Sequence, residues 1–370
     1  MFIQKVKLKN FRNYDTLELD FTKNLNVLYG DNAQGKTNFL EAIYYGAFTR
    51  SYRADNVLDL IKLNEDFFKL EIEIKDKDDT KKIEIVTTKK GKKIQVNKVD
   101  IKRISDYIGN LNVVLFAPED NFLIKGTPAS RRTFLDMEIG QVSKQYINVL
   151  SEYNHLLKQR NEYLKTMFIN SFTDKEYLDV LTERIIEKSI FIYSARVDYI
   201  KKINEKIGNL YKNITGIDNL VIKYSPSIDF EEFTEEEIKE KMLERFDHLL
   251  DREMSQGNTL IGPHRDDFSF LIDEKNLKIF GSQGQQRLAI LCFKLAELDY
   301  IKEKTGYYPI ILFDDVFSEL DNIHKNKLLQ HINKDVQTFI TTTNGENINK
   351  EFVTDVDFFV VENSKIEKQK

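Results

Sequence analysis

The chain has 370 residues, enough for two or three domains, and its 41% hydrophobic content supplies a real core rather than a disordered polymer. A net charge of −5 excludes a global attraction to nucleic acid, so any DNA surface must be a local patch. A single cysteine excludes an internal disulfide, and no apolar run approaches the ~20 residues that span a bilayer, so the expectation is a soluble, cytoplasmic protein with no membrane partner.

The first third reads as strands. Val6 and Leu8 alternate with lysines, and Leu17, Leu19 and Phe21, then Leu70, Ile72 and Ile74, then Ile83 and Ile85 alternate with polar residues. The opening residues fit this pattern and carry no signal-peptide apolar core. Between these strands lies Gly30-Asp31-Asn32-Ala33-Gln34-Gly35-Lys36-Thr37, a gapless match to the phosphate-loop pattern. It follows an apolar run, Leu25 to Tyr29, and opens a helical segment, Asn38 to Ile43. Strand, glycine loop and helix together make a nucleotide site. Glycines let backbone N–H groups close around phosphate oxygens, and the helix N-terminus adds partial positive charge. Lys36 is expected to reach the β- and γ-phosphates of ATP, and the Thr37 hydroxyl to hold Mg²⁺.

Lys89 to Lys93 reads as a hairpin tip, and Val113 to Phe116 as an interior strand. After Pro128 the period changes. Leu135, Ile139, Val142, Tyr146, Val149, Tyr153 and Leu156 form one stripe on a long helix. Leu178 to Leu210 continue the register after a connection at Asn170–Asp174, with Thr173 or Asp174 as helix cap. The acidic run Glu231 to Glu237 opens another helix with a solvated face. From about Thr259 strands return, and a helix runs from about Ser282 to Lys304 with Cys292 as a buried, inert thiol. A helical arm thus interrupts one α/β domain. The expected divisions are 1–125 for the first part of an ATPase head, 126–258 for the arm and 259–370 for the second part of the head.

Two further stretches carry chemistry. Ile310-Ile311-Leu312-Phe313 ends in Asp314 and Asp315, a buried strand delivering carboxylates at its C-terminal end. Asp314 is the candidate for orienting Mg²⁺, and Asp315 for polarising the attacking water as general base. Ser282-Gln283-Gly284-Gln285-Gln286-Arg287 opens a helix, where Ser282 is a natural N-cap and Gly284 permits close approach; on its own it reads equally as simple capping or as an anion site.

The Ser282-x-Gly-Gln-Gln stretch resembles the signature motif of the ATP-binding-cassette superfamily, and Ser318-Glu319-Leu320-Asp321 resembles its D-loop. The long helical insertion between phosphate loop and signature resembles the chromosome-maintenance and double-strand-break-repair branch. Blocks spread over nearly the whole chain resemble, more narrowly, the RecF family: Leu8–Tyr14, the phosphate loop through Ile43, Pro118-Glu119-Asp120 with Arg131-Arg132, Ile261–Asp267, the signature, Asp314–Asp321 and Ile340–Thr343. The resemblance implies an α/β fold of the ABC-type P-loop ATPase head built from both ends of the chain. It implies head-to-tail homodimers in which each ATP is clamped between one copy's phosphate loop and the other's Ser282, Gly284 and Gln285, with Asp321 aligning the opposing site. It also implies a weak, DNA-stimulated ATPase acting as a release switch. The expected partners are duplex and single-stranded DNA at gap junctions and the RecO and RecR proteins, helping to load the RecA recombinase and supporting the SOS response. A transporter ATPase subunit and a non-hydrolysing scaffold are the alternatives.

The chain departs from the superfamily in three places. The usual general base is Glu, here Asp315. The switch histidine is replaced by Thr342 or Thr343. No glutamine marks the Q-loop, for which Glu119 and Asp120 are the candidates. Arg12 either approaches the nucleotide or anchors the N-terminal sheet. Lys89, Lys90, Lys92 and Lys93 read as phosphate contacts or a solvated turn, and Arg131 and Arg132 as phosphate contacts or internal ion pairs. A structural or interface role is the favoured reading of His264, Arg265 and Asp266.

Overall fold

The computed structural model describes residues 1–76, 79–170, 175–230, 233–319, 324–325, 327–328, 335–343 and 356–369. They fall into two compact units, one of 1–121, 209–217 and 287–370, the other of 122–208 and 218–286.

The first unit carries two six-stranded sheets among its described residues. The antiparallel sheet orders its strands Tyr14–Asp20, Phe2–Phe11, Phe67–Asp76, Asp79–Thr88, Gly91–Val96 and Val99–Ile101. Its alternating residues bury one face: Val6, Leu8, Leu70, Ile72, Ile83 and Ile85 are all inside. The other sheet orders Lys365–Lys368, Val356–Glu362, Leu25–Tyr29, Thr338–Thr342, Ile310–Asp314 and Val113–Phe116. All but the first of these run parallel, and their continuous apolar runs are what a parallel sheet covered on both faces requires. Val113–Phe116 is fully buried as its composition demands, yet it is an edge strand rather than an interior one. Phe116 stacks on Phe313 of the neighbouring strand with centroids 4.4 Å apart, so hydrophobicity reported burial and not sheet order.

The helix Lys36–Phe48 touches both sheets. Phe39 meets Phe339 of the parallel sheet, and Gly46 lies against Ile72 of the antiparallel one, where a Cβ would come within 2.4 Å of Ile72 Cδ1. Cys292 is buried as expected.

The second unit holds the helices Pro128–Gly140, Lys144–Asn170, most of Lys175–Thr215, and Glu235–Gln256. It also holds the strands Leu220–Ser225, Asp267–Ile272 and Lys275–Asn276. The stripe from Leu135 to Leu156 is not one helix. It breaks at 141–143, where Ser143 Oγ accepts the Tyr146 N–H at 3.1 Å and restarts the helix. The acidic segment behaves as a helix start: Thr234 Oγ1 accepts the Glu237 N–H at 3.2 Å, and Glu235–Glu237 occupy the first turn, where the helix dipole favours them. Thr173, Asp174, Glu231 and Glu232 lie outside the described residues.

The expected division at 259 differs from the observed one. Asp267–Ile272 pairs in register with Leu220–Ser225, which draws 259–286 into the second unit, and the head resumes at Arg287. Among the described residues no helix is long and apolar enough to cross a membrane.

Candidate functional site, a phosphate loop facing paired carboxylates

The strand Leu25–Tyr29 runs into the loop at Gly30, whose φ of 151° lies outside what a side chain tolerates. A Cβ there would sit 2.3 Å from the Val361 carbonyl oxygen. Gly35, at φ 118°, is pressed in the same way against Asn13 Nδ2 and the Tyr14 hydroxyl, which donates to the Gly35 carbonyl at 3.0 Å. Both glycines are therefore required by close approach and by backbone angle. Asp31, Asn32 and Ala33 arch between them, exposed. Lys36 is buried, and its ammonium donates to the carbonyls of Gly30 and Asp31, both at 2.7 Å. Burial pulls its pKa down, opposed by the charges of Asp315, Asp31 and Asp314. The helix that follows has no acidic residue in its first turn, so no acid of its own offsets the positive end of its dipole.

Asp314 ends its parallel strand only 3% exposed. Its Oδ1 accepts from Thr37 Oγ1 at 2.8 Å and from Thr341 Oγ1 at 2.9 Å, and its Oδ2 accepts from the Tyr52 hydroxyl at 2.7 Å. Strand register explains the threonine, because Asp314 and Thr341 are partners across the ladder. The same hydroxyl accepts the Asp315 N–H at 2.9 Å. Asp315 has φ 55°, in the left-handed region that Asp and Asn tolerate better than other residues with a Cβ.

The structure thus brings Gly30 through Thr37 together with Asp314 and Asp315. Thr341 touches both acids, Asp314 through its side chain and Asp315 through that residue's backbone N–H. Tyr52 carried no sequence signal, since it comes to Asp314 from a loop 262 residues away. Of the two Q-loop candidates, Asp120 is turned inward: its Oδ2 accepts the Ala117 N–H at 2.9 Å and its Oδ1 lies 3.7 Å from Lys294. The Glu119 carboxyl is shifted upward by desolvation, with the negative charges of Asp314 and Asp120 adding and a backbone hydrogen bond and Arg53 opposing. Arg12 forks onto Glu41 of the loop helix at 2.8 and 2.6 Å.

These groups suit a nucleoside triphosphate with a divalent cation. Thr37 and Asp314 are the groups that would hold the cation, and among the described residues no cluster of three acidic, His or Cys side chains exists to hold a metal unaided. Mg²⁺ is characteristically bound by one or two protein oxygens plus substrate phosphates.

Ser282, Gly284 and Gln285 belong to the second unit. The Ser282 N–H donates to Gln285 Oε1 at 2.9 Å, and the Gln285 N–H to Ser282 Oγ at 3.2 Å, a reciprocal capping box. Ser282, Gln283 and Gly284 are exposed, and no atom lies within 4 Å of where a Gly284 Cβ would stand. Ile279 and Phe280 beside them are 73% and 68% exposed. Asp321 and Leu320 lie outside the described residues.

Most of the remaining charged candidates have partners within the fold. Arg196 reaches Asp266 Oδ2 and Asp136 Oδ1, each at 2.8 Å, and the Pro263 carbonyl at 2.7 Å. Arg132 donates to the Asp266 carbonyl at 2.7 Å, and Arg131 forks onto Asp267 at 2.6 and 2.8 Å. His264 Nε2 faces the Thr259 carbonyl at 3.1 Å, so it carries the proton there, and Nδ1 accepts from the Tyr153 hydroxyl at 2.6 Å. Arg265 also donates to the Thr259 carbonyl, at 2.9 Å. Lys89 and Lys93 pair with Asp66 and Asp100 at the surface, and Lys92 donates to Thr49. Exposed pairs of that kind are worth at most about 1 kcal/mol and leave the lysines available.

Residues 2–367 match the family described as RecF/RecN/SMC N terminal domain. The chain is 41% identical over 371 residues to the DNA replication and repair protein RecF of Ligilactobacillus salivarius (strain UCC118), covering 100% of this chain and 98% of the relative. It is 44% identical over 368 residues to that of Geobacillus sp. (strain WCH70), covering 99% and 98%. The solved structure of the recombination mediator protein RecF-ATP in the RecFOR pathway superposes with a TM-score of 0.92 at 34% identity, over 100% of this chain and 98% of that one. An Smc head domain from Pyrococcus furiosus, at 17% identity and a TM-score of 0.56 over 100% and 96%, shares the fold. With its α/β head of the ABC-like ATPase type, the chain belongs to the RecF family of DNA replication and repair proteins, within the wider RecF/RecN/SMC family.

Proposed function

We propose that this chain is an ATP-dependent switch of recombinational DNA repair. It binds ATP with Mg²⁺, dimerises on DNA at single-strand gaps, helps RecO and RecR load the RecA recombinase in the cytoplasm, and lets go by slow, DNA-stimulated hydrolysis. The observation that carries the reading is Thr37 bonded to Asp314 at 2.8 Å beneath a phosphate loop whose lysine is already in place. The solved RecF-ATP relative supports the choice of nucleotide.

Bound Mg²⁺ would neutralise charge on the transferred phosphate. The chain's own groups do the rest. Gly30 through Gly35 present backbone N–H groups, Lys36 sets its ammonium at the terminal phosphates, and Thr37 and Asp314 fix the cation's place. Asp315 takes the proton of the attacking water. Ser282, Gly284 and Gln285 act on the nucleotide held by the second copy, and Asp321 helps align the opposing site. The exposure of Ser282 and Gly284 suits a surface that is completed by another chain. A transporter subunit is disfavoured by the full-length identity to repair proteins.

Sedimentation with ATP, ADP and a gapped duplex tests the reading. ATP should drive dimerisation, most strongly on the gapped duplex, and ADP should not. Ser282→Ala should bind ATP as a monomer with unchanged affinity and fail to dimerise; an unaltered ATP-induced dimer in that variant refutes the shared site.

A further inference from the structure

Parallel to Leu25–Tyr29 runs Val356–Glu362, with Val360 opposite Tyr29, so this strand continues past the point where the phosphate loop begins. It folds back on Lys365–Lys368, with Glu362 opposite Lys365. The two residues between, Asn363 and Ser364, have φ of 49° and 60°, the paired left-handed angles of a tight two-residue hairpin turn. Such a turn points its two central N–H groups outward. Here both are spent on one residue of the loop: Asn363 N–H donates to Gln34 Oε1 at 2.6 Å, and Ser364 N–H donates to the Gln34 carbonyl at 3.2 Å. At the other foot of the loop the Val361 carbonyl lies against Gly30. The hairpin therefore holds the loop at its first residue and again four residues later, across the exposed arch of Asp31, Asn32 and Ala33.

We propose that this hairpin is a clamp on the phosphate loop and that Gln34 is its positioning residue. The inference rests on the reading of the loop as an ATP site and concerns how that site is kept ready. A phosphate loop binds by aiming several N–H groups at one point, and an unrestrained loop must be ordered at the moment of binding. Fixing both feet supplies that order beforehand. The Gln34 side chain and carbonyl face the hairpin, and because the peptide is trans and planar the Gly35 N–H points the other way, away from the hairpin. Coupling of this kind is reciprocal: nucleotide on the loop must tighten the hairpin by the same factor by which the hairpin tightens nucleotide. Asn363 suits a left-handed angle; Ser364 suits it less, and holds it where its N–H meets Gln34.

The test uses the full-length protein, with hydrogen exchange read over 356–369 and ADP affinity read by calorimetry. In the nucleotide-free protein the amides of Asn363 and Ser364 should exchange slowly. Gln34→Glu keeps an acceptor oxygen at the same reach and should keep the Asn363 amide slow; Gln34→Ala should release it. ADP should slow both amides a further several-fold in the wild type. Gln34→Ala should bind ADP about tenfold more weakly while melting, without nucleotide, at the wild-type temperature. Turn amides that ignore ADP, or a Gln34→Ala protein that binds ADP within twofold of wild type, overturn the clamp with the nucleotide site intact. A wild type that binds no ADP at all overturns the site itself and the clamp with it.

Discussion

Charge is buried in both units, and at the phosphate loop it is balanced differently from elsewhere. In the second unit buried arginines meet acids: Arg196 meets Asp136 and Asp266, Arg160 meets Glu253 at 2.7 Å, and Arg131 meets Asp267. In the first unit Arg12 meets Glu41 in the same way, but at the loop Asp314 is met by three neutral hydroxyls, and Lys36 by two neutral carbonyls. Neutral donors hold a carboxylate in place without cancelling its charge, so it remains able to attract a cation. A guanidinium forked onto an acid has its charge met by that acid, which leaves less of it for a ligand. Buried charge alone is thus a poor sign of function; the neutrality of its partners is the better one.

The contrast can be broken at its strongest point by Arg196→Leu, which strands Asp136 and Asp266 in the interior. The loss of unfolding free energy should be about 3–5 kcal/mol by urea titration, with ADP affinity unchanged where the variant is still folded. A variant that kept its stability but lost nucleotide would reverse the assignment of the two units. A subtler probe is His264. Burial pushes its pKa from 6.5 down to about 4, with the charges of Arg265, Arg132 and Arg196 adding and the Thr259 carbonyl opposing. Because the unfolded chain binds this proton more readily than the folded one, the stabilisation is whole above pH 6.5 and drains away as pH falls toward 4. That amounts to at most about 3 kcal/mol. His264→Gln should flatten the pH dependence of the melting temperature over that window; an unaltered slope would show that the ring titrates normally. The smallest effect belongs to Tyr52→Phe, which removes a single donor from Asp314. It should cost the nucleotide-free protein about 1 kcal/mol and weaken Mg²⁺-dependent nucleotide binding more than binding in EDTA. Equal losses under both conditions would make Tyr52 a packing residue.

The first unit was the more legible of the two. Gly30, Gly35, Lys36 and Thr37 are each dictated by a local requirement of angle or contact, so a pattern in the sequence reports them directly. Asp314 and Asp315 follow from a buried strand that must end somewhere polar. What remained hidden depends on register and on distant loops. Thr341 faces the acids because a parallel ladder sets it opposite Asp314. Tyr52 and the hairpin turn at Asn363 reach the site through tertiary folding that no local pattern encodes. In the second unit the apolar stripe reported helices correctly but not their break at Ser143, because a hydrophobic period survives a short interruption. The boundary at Arg287 was missed because strand pairing with Leu220–Ser225, not composition, decides which unit owns Asp267–Ile272.

The backbone at Asp315 also constrains how this family can drift. A left-handed residue admits Asn almost freely and resists longer or branched side chains. A single-nucleotide change from Asp to Asn therefore removes the negative charge with little disturbance of the main chain, whereas a longer side chain such as Glu fits this backbone angle less readily. Charge at this corner is easier to lose than to extend.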